Sequence, residues 1–534
     1  MMRMKGLQNH KREYISVILI AAFLICIFGL NLFAFGDYMD SDVYGDVYVA
    51  KLMWEQKTIF PENWCFGNQL YVAATPNVAA LFNSLTNDMF LAMGLASCVM
   101  AVLEVLGFWY CFRAAFSKGT VWLGLLSFFT VFLCNGIGND RYGELFWTGA
   151  AFYSCYVILL LFALGAYLRL QRRQFSFGVS AMALLTVLLS FLLGMHSLRQ
   201  TMVMVLPMLC YESACVIWRK VKNQKQNVIC SGYAALLSLS NLCGVFCARH
   251  LSVPRIKEYE TLRFIPFSDF SEKLSSTLAC VKSLVGLDDI YTHFKYGTLS
   301  LWEGLIPCVR TVSLLLLFVA FVRRYRPAEK DAQGIAAGAV LLLSLLGTMS
   351  AFWLLDMERL SKYLFPFFIL IPVLVMLLYE NSEREIQEKL EKVLLLLGVF
   401  SLCVTYLFPL IRANTRQSVY DEMADYIVDN GYEIVYGEWK NVGNVAGASD
   451  GKLLAGRYES FHPFLIMPHT NILDIYTEAD NDRAVYIITQ DMLPDALAHA
   501  EEKSAEMTLL ETFEARDGVR YLYRSDRQLM YWWK

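Results

Sequence analysis

Long apolar runs, repeated along the first 410 residues, constrain the fold of this chain more than any other feature. The first run covers residues 14–35, and about 20 apolar residues suffice for a helix to cross the hydrocarbon core of a bilayer. Hydrophobic residues make up 56% of the 534 residues and charged residues only 18%, whereas soluble domains have about 45–50% and about 25%. The sequence therefore predicts a mainly α-helical, polytopic transmembrane bundle of about eleven spans. The runs cover residues 14–35, 88–112, 120–135, 147–168, 177–195, 201–218, 228–248, 305–322, 335–355, 364–379 and 393–410.

The first apolar run has a second interpretation, as a signal peptide that is cleaved. Ala34, Phe35 and Gly36 faintly resemble a cleavage site. The run is longer than the roughly 7–15 apolar residues of a signal-peptide core, so we favour a helix that is retained in the protein.

Lysine and arginine mark one side of the membrane. Five short loops between predicted spans carry them, and all five fall on the same side as the basic N-terminus. Because cytoplasmic loops carry an excess of these residues, we expect a cytoplasmic N-terminus. The loops 36–87 and 251–304 and the C-terminal segment then face outside the cell membrane. The cations of the five loops are Arg113 and Lys118; Arg169, Arg172 and Arg173; Arg219, Lys220, Lys222 and Lys225; Arg323, Arg324, Arg326 and Lys330; and Arg384, Lys389 and Lys392.

The composition changes to that of a soluble domain after the last apolar run, which divides the chain into two predicted domains. Residues 1–410 form the transmembrane domain, and residues 411–534 form a small extracytoplasmic α/β domain. In the second domain we expect a helix that ends at Gly431 and strands at residues 433–436 and 484–489.

The outer loop 251–304 contains a shorter apolar pattern of its own. Apolar residues recur at helical spacing from Phe270 to Val285, and Gly286 follows as a stop signal. The pattern predicts an amphipathic helix, which either lies on the outer leaflet or packs on the bundle.

Charge and cysteine patterns argue against two further classes of function. The formal net charge is −3 and no basic stripe with interleaved aromatic residues is present, so we expect no nucleic-acid partner. The 14 cysteines include no CxxC pair and no Cys/His spacing typical of zinc sites. Membrane lipid is the partner that the composition itself implies.

Four aspartates crowd the first outer loop at the mouth of a membrane span. They are Asp37, Asp40, Asp42 and Asp46. If the segment is helical from Asp42 onward, Asp42 and Asp46 lie one turn apart on one face. Paired carboxylates at such a boundary can accept a proton from an acceptor hydroxyl or hold a divalent cation. Helix capping by Asp40 or Ser41 is the alternative, and it accounts for one or two of the acids.

Cations at the outer ends of other spans form a complementary set. They are Arg141, Arg199, Arg359 and Lys362. Arginine suits a phosphate because its planar guanidinium donates two parallel hydrogen bonds; the alternative is that each cation is an interfacial anchor or part of a local ion pair. If the set converges, Arg199 or Lys362 lies within roughly 12 Å of Asp40 or Asp42, a span that a sugar phosphate with its acceptor bridges. Other polar residues at these span ends are Asp140, Glu144, His196, Gln200 and Tyr363.

Three short motifs occur in order along the transmembrane part. Asp40-Ser41-Asp42, followed by Asp46, is an acidic motif in the first outer loop. A Gly-x-x-x-x-Arg-Gln turn begins at Gly194, and a Lys-Tyr-x-x-Pro motif begins at Lys362. In order and topology these motifs resemble the GT-C superfamily of polytopic glycosyltransferases, which includes protein O-mannosyltransferases and bacterial enzymes that add single sugars to cell-surface glycans and lipids. Many relatives have Asp-Glu in the first motif and Arg in place of Lys362.

The resemblance implies an inverting, multi-pass glycosyltransferase of the cell envelope. The donor would be a polyprenyl-phosphate-linked sugar, and the acceptor a cell-surface glycan, lipid or protein on the outer face. Asp40, Asp42 and Asp46 would be the catalytic acids, with Asp40 or Asp42 as the base, and a divalent cation (Mg²⁺ or Mn²⁺) on Asp40 and Asp42 stays open. The residues that would bind substrate and phosphate are Asp140, Arg141, Glu144, His196, Arg199, Gln200, Arg359, Lys362 and Tyr363.

A transporter or flippase of lipid-linked glycan is the rival class of function. Such a protein would also need acids and cations near span ends, but it should place polar groups near the middle of the membrane and often has discontinuous helices in related halves. Here the polar groups cluster at outer span ends, and Glu104 inside the second span is the main exception.

Overall fold

A computed structural model describes most of the chain. The described residues are 2–34, 41–62, 64–131, 133, 146–255, 263–287, 300–357, 359–413, 419–449, 451–463, 475–476, 478–515 and 518–530. Helices are numbered below in chain order among these residues.

Helices dominate the described residues before residue 414. These helices are α1 (Met2–Phe33), α2 (Ser41–Gln56), α3 (Thr75–Thr86), α4 (Met89–Phe112), α5 (Lys118–Thr130), α6 (Ser154–Gln171), α7 (Phe177–His196), α8 (Leu206–Val221), α9 (Val228–Arg249), α10 (Phe270–Val285), α11 (Ser300–Arg324), α12 (Ala332–Leu354), α13 (Pro366–Glu380), α14 (Arg384–Ser401) and α15 (Phe408–Ala413). A π-helical turn, Thr201–Val205, leads into α8, and a 3-10 turn, Ser361–Leu364, precedes α13.

Ten of the described helical segments are long and apolar enough to cross a membrane. This confirms the predicted mainly α-helical, polytopic bundle. The remaining predicted span, residues 120–135, is the third in chain order and corresponds to α5. The 13 described residues of α5 extend about 20 Å, whereas the hydrocarbon core of a bilayer is about 30 Å thick. Residue 132 and residues 134–145 lie outside the described part, so the count of ten refers to the described residues alone.

Two helices of the bundle cross at glycines. A Cβ atom added at Gly194 of α7 would overlap the Asn241 carbonyl of α9, and one at Gly244 would overlap the Phe191 carbonyl of α7. Small residues at such crossings let two backbones approach closely. Asn241 also donates to the Ser190 carbonyl (3.0 Å) and accepts from the Thr201 hydroxyl (2.6 Å). This crossing fixes the turn between α7 and α8.

The helix predicted in the second outer loop is confirmed as α10, and Gly286 ends it with a left-handed φ of 83°. α10 packs on the bundle, because Leu284 is buried and the Cys280 thiol donates to the Arg359 carbonyl.

The C-terminal part contains a six-stranded sheet in the order β3-β2-β1-β4-β6-β5. Strand β1 is parallel to both β2 and β4, and the remaining pairs are antiparallel. The strands expected at residues 433–436 and 484–489 and the helix before Gly431 are confirmed, whereas the domain boundary at residue 410 stays a prediction. The elements are α16 (Val419–Asp429), β1 (Ile434–Gly437), α17 (Trp439–Ala448), β2 (Leu454–Glu459), β3 (His462–Pro463), α18 (Glu478–Asn481), β4 (Ala484–Thr489), α19 (Leu493–Glu502), β5 (Met507–Ala515) and β6 (Gly518–Ser525).

Candidate functional site

The site is built around α2, which is helical from Ser41 as the aspartate spacing requires. The Asp42 carboxylate lies 3.9 Å from the Lys362 ammonium, measured between Oδ2 and Nζ. This confirms the predicted approach of Asp42 to Lys362. The side chains are 54% and 39% exposed, and an exposed ion pair of this kind contributes only about 0–1 kcal/mol to stability. The energy of this ion pair alone therefore does not explain why the fold holds both charges there.

Asp46 lies one turn after Asp42 and is buried, with 4% exposure. The Tyr71 hydroxyl hydrogen-bonds the Asp46 carboxylate. Burial raises the pKa of Tyr71 well above its ordinary value, and the charge of Asp46 raises it further. Tyr71 has a φ of 49°, a left-handed conformation that is uncommon for a bulky residue and often marks functional segments.

His196, at the end of α7, holds the segment around Tyr71. The Val72 amide donates to the His196 Nδ1 atom (3.0 Å), and the Leu70 amide donates to the His196 carbonyl (2.9 Å). Because Nδ1 accepts, the proton of the neutral imidazole sits on Nε2. Nε2 is buried and has no hydrogen-bond partner among the described residues.

Arg199 is half-buried, and its guanidinium lies in a cage of three tyrosine rings. Its guanidinium carbon lies 4.4 Å from the ring centre of Tyr153, 5.5 Å from that of Tyr156 and 4.9 Å from that of Tyr363. Cation–π contacts of this kind contribute about 2 kcal/mol when they are desolvated, less than the cost of burying a charge without a partner. Nη1 is buried and finds no acceptor within the described part of the chain.

Of the other predicted phosphate-binding residues, Gln200 lies beside Arg199, whereas Arg359 does not join the tyrosine cage. The Gln200 side-chain amide donates to the Met204 sulfur (3.1 Å), and its Oε1 atom is buried with no partner in the described chain. Arg359 donates to the carbonyls of Phe352 (3.1 Å) and Met357 (3.1 Å), near the end of α12. The structure brings Gln200 next to Arg199, whereas the Arg359 guanidinium binds backbone carbonyls.

Contacts among these residues close into a ring. Each member touches the next through an ion pair, a ring contact, a hydrogen bond or the adjacent peptide, and the last returns to the first along one turn of α2. We call this set the site ring: Asp42, Lys362, Tyr363, Arg199, Tyr156, His196, Tyr71 and Asp46.

Several predicted site residues lie outside the described residues. They are Asp37, Asp40, Asp140, Arg141 and Glu144. Their roles stay predictions.

The described residues give an incomplete donor set for a metal. No group of three His, Cys, Asp or Glu side chains that could hold a metal ion occurs among them. Asp42 faces the Lys362 ammonium and Asp46 binds the Tyr71 hydroxyl. A divalent cation on Asp40 and Asp42 would compete with Lys362 for the Asp42 carboxylate.

The sequence patterns missed three tyrosines of the site. Tyr153 and Tyr156 are three residues apart at the start of α6, a spacing that puts both on one face, and this signal is visible in the sequence. Tyr71 has no such signal, because its partner His196 is more than a hundred residues away in the chain.

No protein-family model matches the sequence, and no curated protein matches it. Similar solved structures include ArnT from Cupriavidus metallidurans in the apo state, with a TM-score of 0.46, 11% identity, and coverage of 97% of this chain and 99% of that chain. The same protein bound to undecaprenyl phosphate has a TM-score of 0.44, 12% identity and coverage of 97% and 99%. The Archaeoglobus fulgidus oligosaccharyltransferase, in complex with zinc and sulfate, has a TM-score of 0.42, 11% identity and coverage of 94% and 72%. At these sequence identities and TM-scores, the likenesses carry no residue roles over to this chain.

Proposed function

We propose that this protein is a membrane glycosyltransferase of the GT-C type. It transfers a sugar from a polyprenyl-phosphate donor to a cell-surface glycan, lipid or protein acceptor at the outer face of the membrane. The observation that carries the proposal is the contact of Asp42 with Lys362 beside the caged Arg199. A carboxylate that can accept a proton and two cations that can bind a phosphate meet at the ends of different helices.

The reaction needs a base on one side of the sugar and positive charge on the other. Asp42 accepts the proton of the acceptor hydroxyl, and the hydroxyl oxygen attacks the anomeric carbon of the donor. The bond from that carbon to the phosphate oxygen breaks, and its electron pair leaves with the phosphate. Asp42 and Lys362, which are in contact in the structure, separate when the sugar enters between them, and Lys362 and Arg199 then stabilise the charge that develops on that oxygen. Attack from the face opposite the leaving group inverts the anomeric configuration.

Asp40 remains the competing base, because it belongs to the same motif as Asp42. Asp46 is the third candidate acid, but its carboxylate is buried and bound to Tyr71. We therefore place Asp42 at the acceptor hydroxyl and Asp46 behind it.

The test is sugar transfer from a polyprenyl-phosphate donor by the purified, reconstituted protein. Asp42→Asn keeps the shape of the side chain but removes its ability to accept a proton, and lost general-base catalysis costs about 10²–10⁴-fold in rate. A helix cap would not respond, because Asn caps about as well as Asp. Asp40→Asn is the matched variant. Full activity in both Asn variants would remove the first loop from the mechanism.

A transporter or flippase of lipid-linked glycan is the second candidate, and Glu104 is the observation that favours it. Its carboxyl is fully buried inside α4, and neither oxygen has a hydrogen-bond partner among the described residues. A carboxyl inside a membrane span often marks a transport pathway. The test is passage of a lipid-linked sugar across the vesicle membrane in the absence of an acceptor. Passage that is abolished by Glu104→Gln and retained by Asp42→Asn would favour a transporter or flippase.

A further inference from the structure

A tyrosine of α2 is buried in the core of the C-terminal domain. Tyr44 is 3% exposed and belongs to one apolar cluster with Met423, Val442 and Val445 of that domain. α17 makes room for the ring, because a Cβ atom added at Gly447 would overlap it. Any larger residue at this position would push Tyr44, and α2 with it, away from α17.

The contact continues along both helices. A Cβ atom added at Gly443 would lie 3.1 Å from the Ser41 Cβ, and one at Gly451 would lie 3.3 Å from the Tyr48 ring. Glycines four residues apart on one side therefore face the first two turns of α2 on the other. Because α17 ends at Ala448, the first two turns of α2 run beside α17 and beside the turn that follows it.

Aromatic contacts lead from this interface to the acids. The Tyr48 ring centre lies 6.2 Å from that of Trp64, and the Trp64 ring centre lies 6.3 Å from that of Tyr71. Tyr71 in turn hydrogen-bonds Asp46. The C-terminal domain thus reaches the site both along α2 and through the first outer loop.

The other faces of α2 are also accounted for by packing partners and by the aspartates. Val43 and Val47 pack with Ala79 of α3 and Met93 of α4. α2 is therefore held between the bundle and the C-terminal domain, and the aspartates occupy the remaining face. The half-exposed ion pair with Lys362 is too weak to orient a helix of four turns, so the orientation has to come from packing.

We propose that Tyr44 is a positioning residue for the proposed sugar transfer. By packing against Gly447, it fixes the rotation and height of α2, and this places Asp42 against Lys362 and Asp46 against Tyr71. The catalytic consequence rests on the proposed function, whereas the geometric one does not. The C-terminal domain thereby controls the site through α2.

Two glycines of the C-terminal domain provide a matched pair of variants. Gly447→Ala adds a methyl group against the Tyr44 ring of α2. Gly456→Ala adds one against the Tyr436 ring, which belongs to the same domain as Gly456 itself. Both changes crowd a tyrosine, but only the first displaces α2. Thermal unfolding of both proteins shows whether their losses of stability are comparable.

The first measurement does not depend on activity. In the full chain carrying Asp42→Cys and Lys362→Cys, a short bifunctional thiol reagent links the two positions, and mass spectrometry identifies the linked peptides among those of the native cysteines. We expect Gly447→Ala to slow this linkage several-fold and Gly456→Ala to leave it unchanged. Adding Tyr44→Leu to Gly447→Ala should restore the rate, because the smaller side chain leaves space for the methyl group. Equal rates in all backgrounds would overturn the proposal.

The second measurement separates kcat from KM for the donor in the protein with its native Asp42 and Lys362. We expect Gly447→Ala to lower kcat several-fold with little change in KM, because the phosphate-binding cations stay in place. Equal losses of kcat in Gly447→Ala and Gly456→Ala would mean that the domain only stabilises the fold, and no loss in either would also contradict the proposal. If the unaltered protein transfers no sugar, the proposed function fails, and the linkage rates still decide the role of Tyr44.

Discussion

Arg199 carries a charge that should cost the fold stability and that the proposed function uses. Its guanidinium is buried among three tyrosine rings, and Nη1 lacks an acceptor in the described chain. Replacing a buried charge by an apolar side chain of similar volume is often neutral or stabilising. A fold that retains such a charge has another use for it.

We therefore predict opposite effects of Arg199→Met on stability and activity. The melting temperature in detergent should stay the same or rise, because the unpaired charge is gone and methionine fills the space between the rings. The rate of sugar transfer should fall about 10²–10³-fold, as for other removed donors to a developing anion. Differential scanning fluorimetry and the transfer assay measure the two quantities.

Arg199→Lys separates charge from shape. The planar guanidinium stacks between rings and donates in pairs, whereas an ammonium does neither. We expect the lysine variant to be nearly as slow as the methionine variant. A lower melting temperature together with unchanged transfer would instead mean that Arg199 only supports the fold.

At the scale of elements, the crossing of α7 and α9 sets where His196 and Arg199 stand. His196 is the last residue of α7 and Arg199 follows three residues later, and the α7 backbone contacts α9 at Gly194 and Gly244. A displacement there moves the whole turn. The crossing thus positions His196 and Arg199, as the packing of α2 on α17 is proposed to position Asp42 and Asp46.

Two glycines on α9 test this. A Cβ atom at Gly244 would overlap the α7 backbone, whereas one at Gly232 meets nothing within 4 Å. We predict that Gly244→Ala costs about 1–3 kcal/mol, as overpacking does, and slows transfer. Gly232→Ala should be neutral or slightly stabilising, since alanine favours helix over glycine by about 1 kcal/mol. Similar melting temperatures for the two variants would contradict the assigned role of the crossing.

The separation of contacting residues along the chain explains which features the sequence could predict. Apolar runs and helical spacing are local, so the spans, α10 and the helical start of α2 follow from short windows. The approach of Asp42 to Lys362 followed from topology, because both stand at span ends on one side. The packing of Tyr44 on Gly447 joins residues about 400 positions apart, and no local pattern names the partner of a glycine. The tyrosine cage was missed since aromatic residues make up 14% of the chain, too many for any three to stand out.

At the scale of the whole molecule, the cationic loops and the site ring lie at opposite ends of the spans that connect them. Lys222 follows the end of α8, whereas Arg199 precedes its start. If the basic loops are cytoplasmic, as their excess of Lys and Arg predicts, the site and the C-terminal domain face outside. Only this orientation is compatible with the proposed transfer to a cell-surface acceptor.

Thiol labelling of intact cells or oriented vesicles tests the orientation. A membrane-impermeant maleimide should reach a cysteine introduced at Asp482, an exposed residue of the C-terminal domain. It should reach a cysteine at Lys222 only after the membrane is permeabilised. The unaltered protein reports labelling of the native cysteines, several of which lie exposed on membrane helices. The reverse pattern would place Asp42, Lys362 and Arg199 in the cytoplasm, where a donor facing outward cannot reach them, and the proposed transfer to the cell surface would then be excluded.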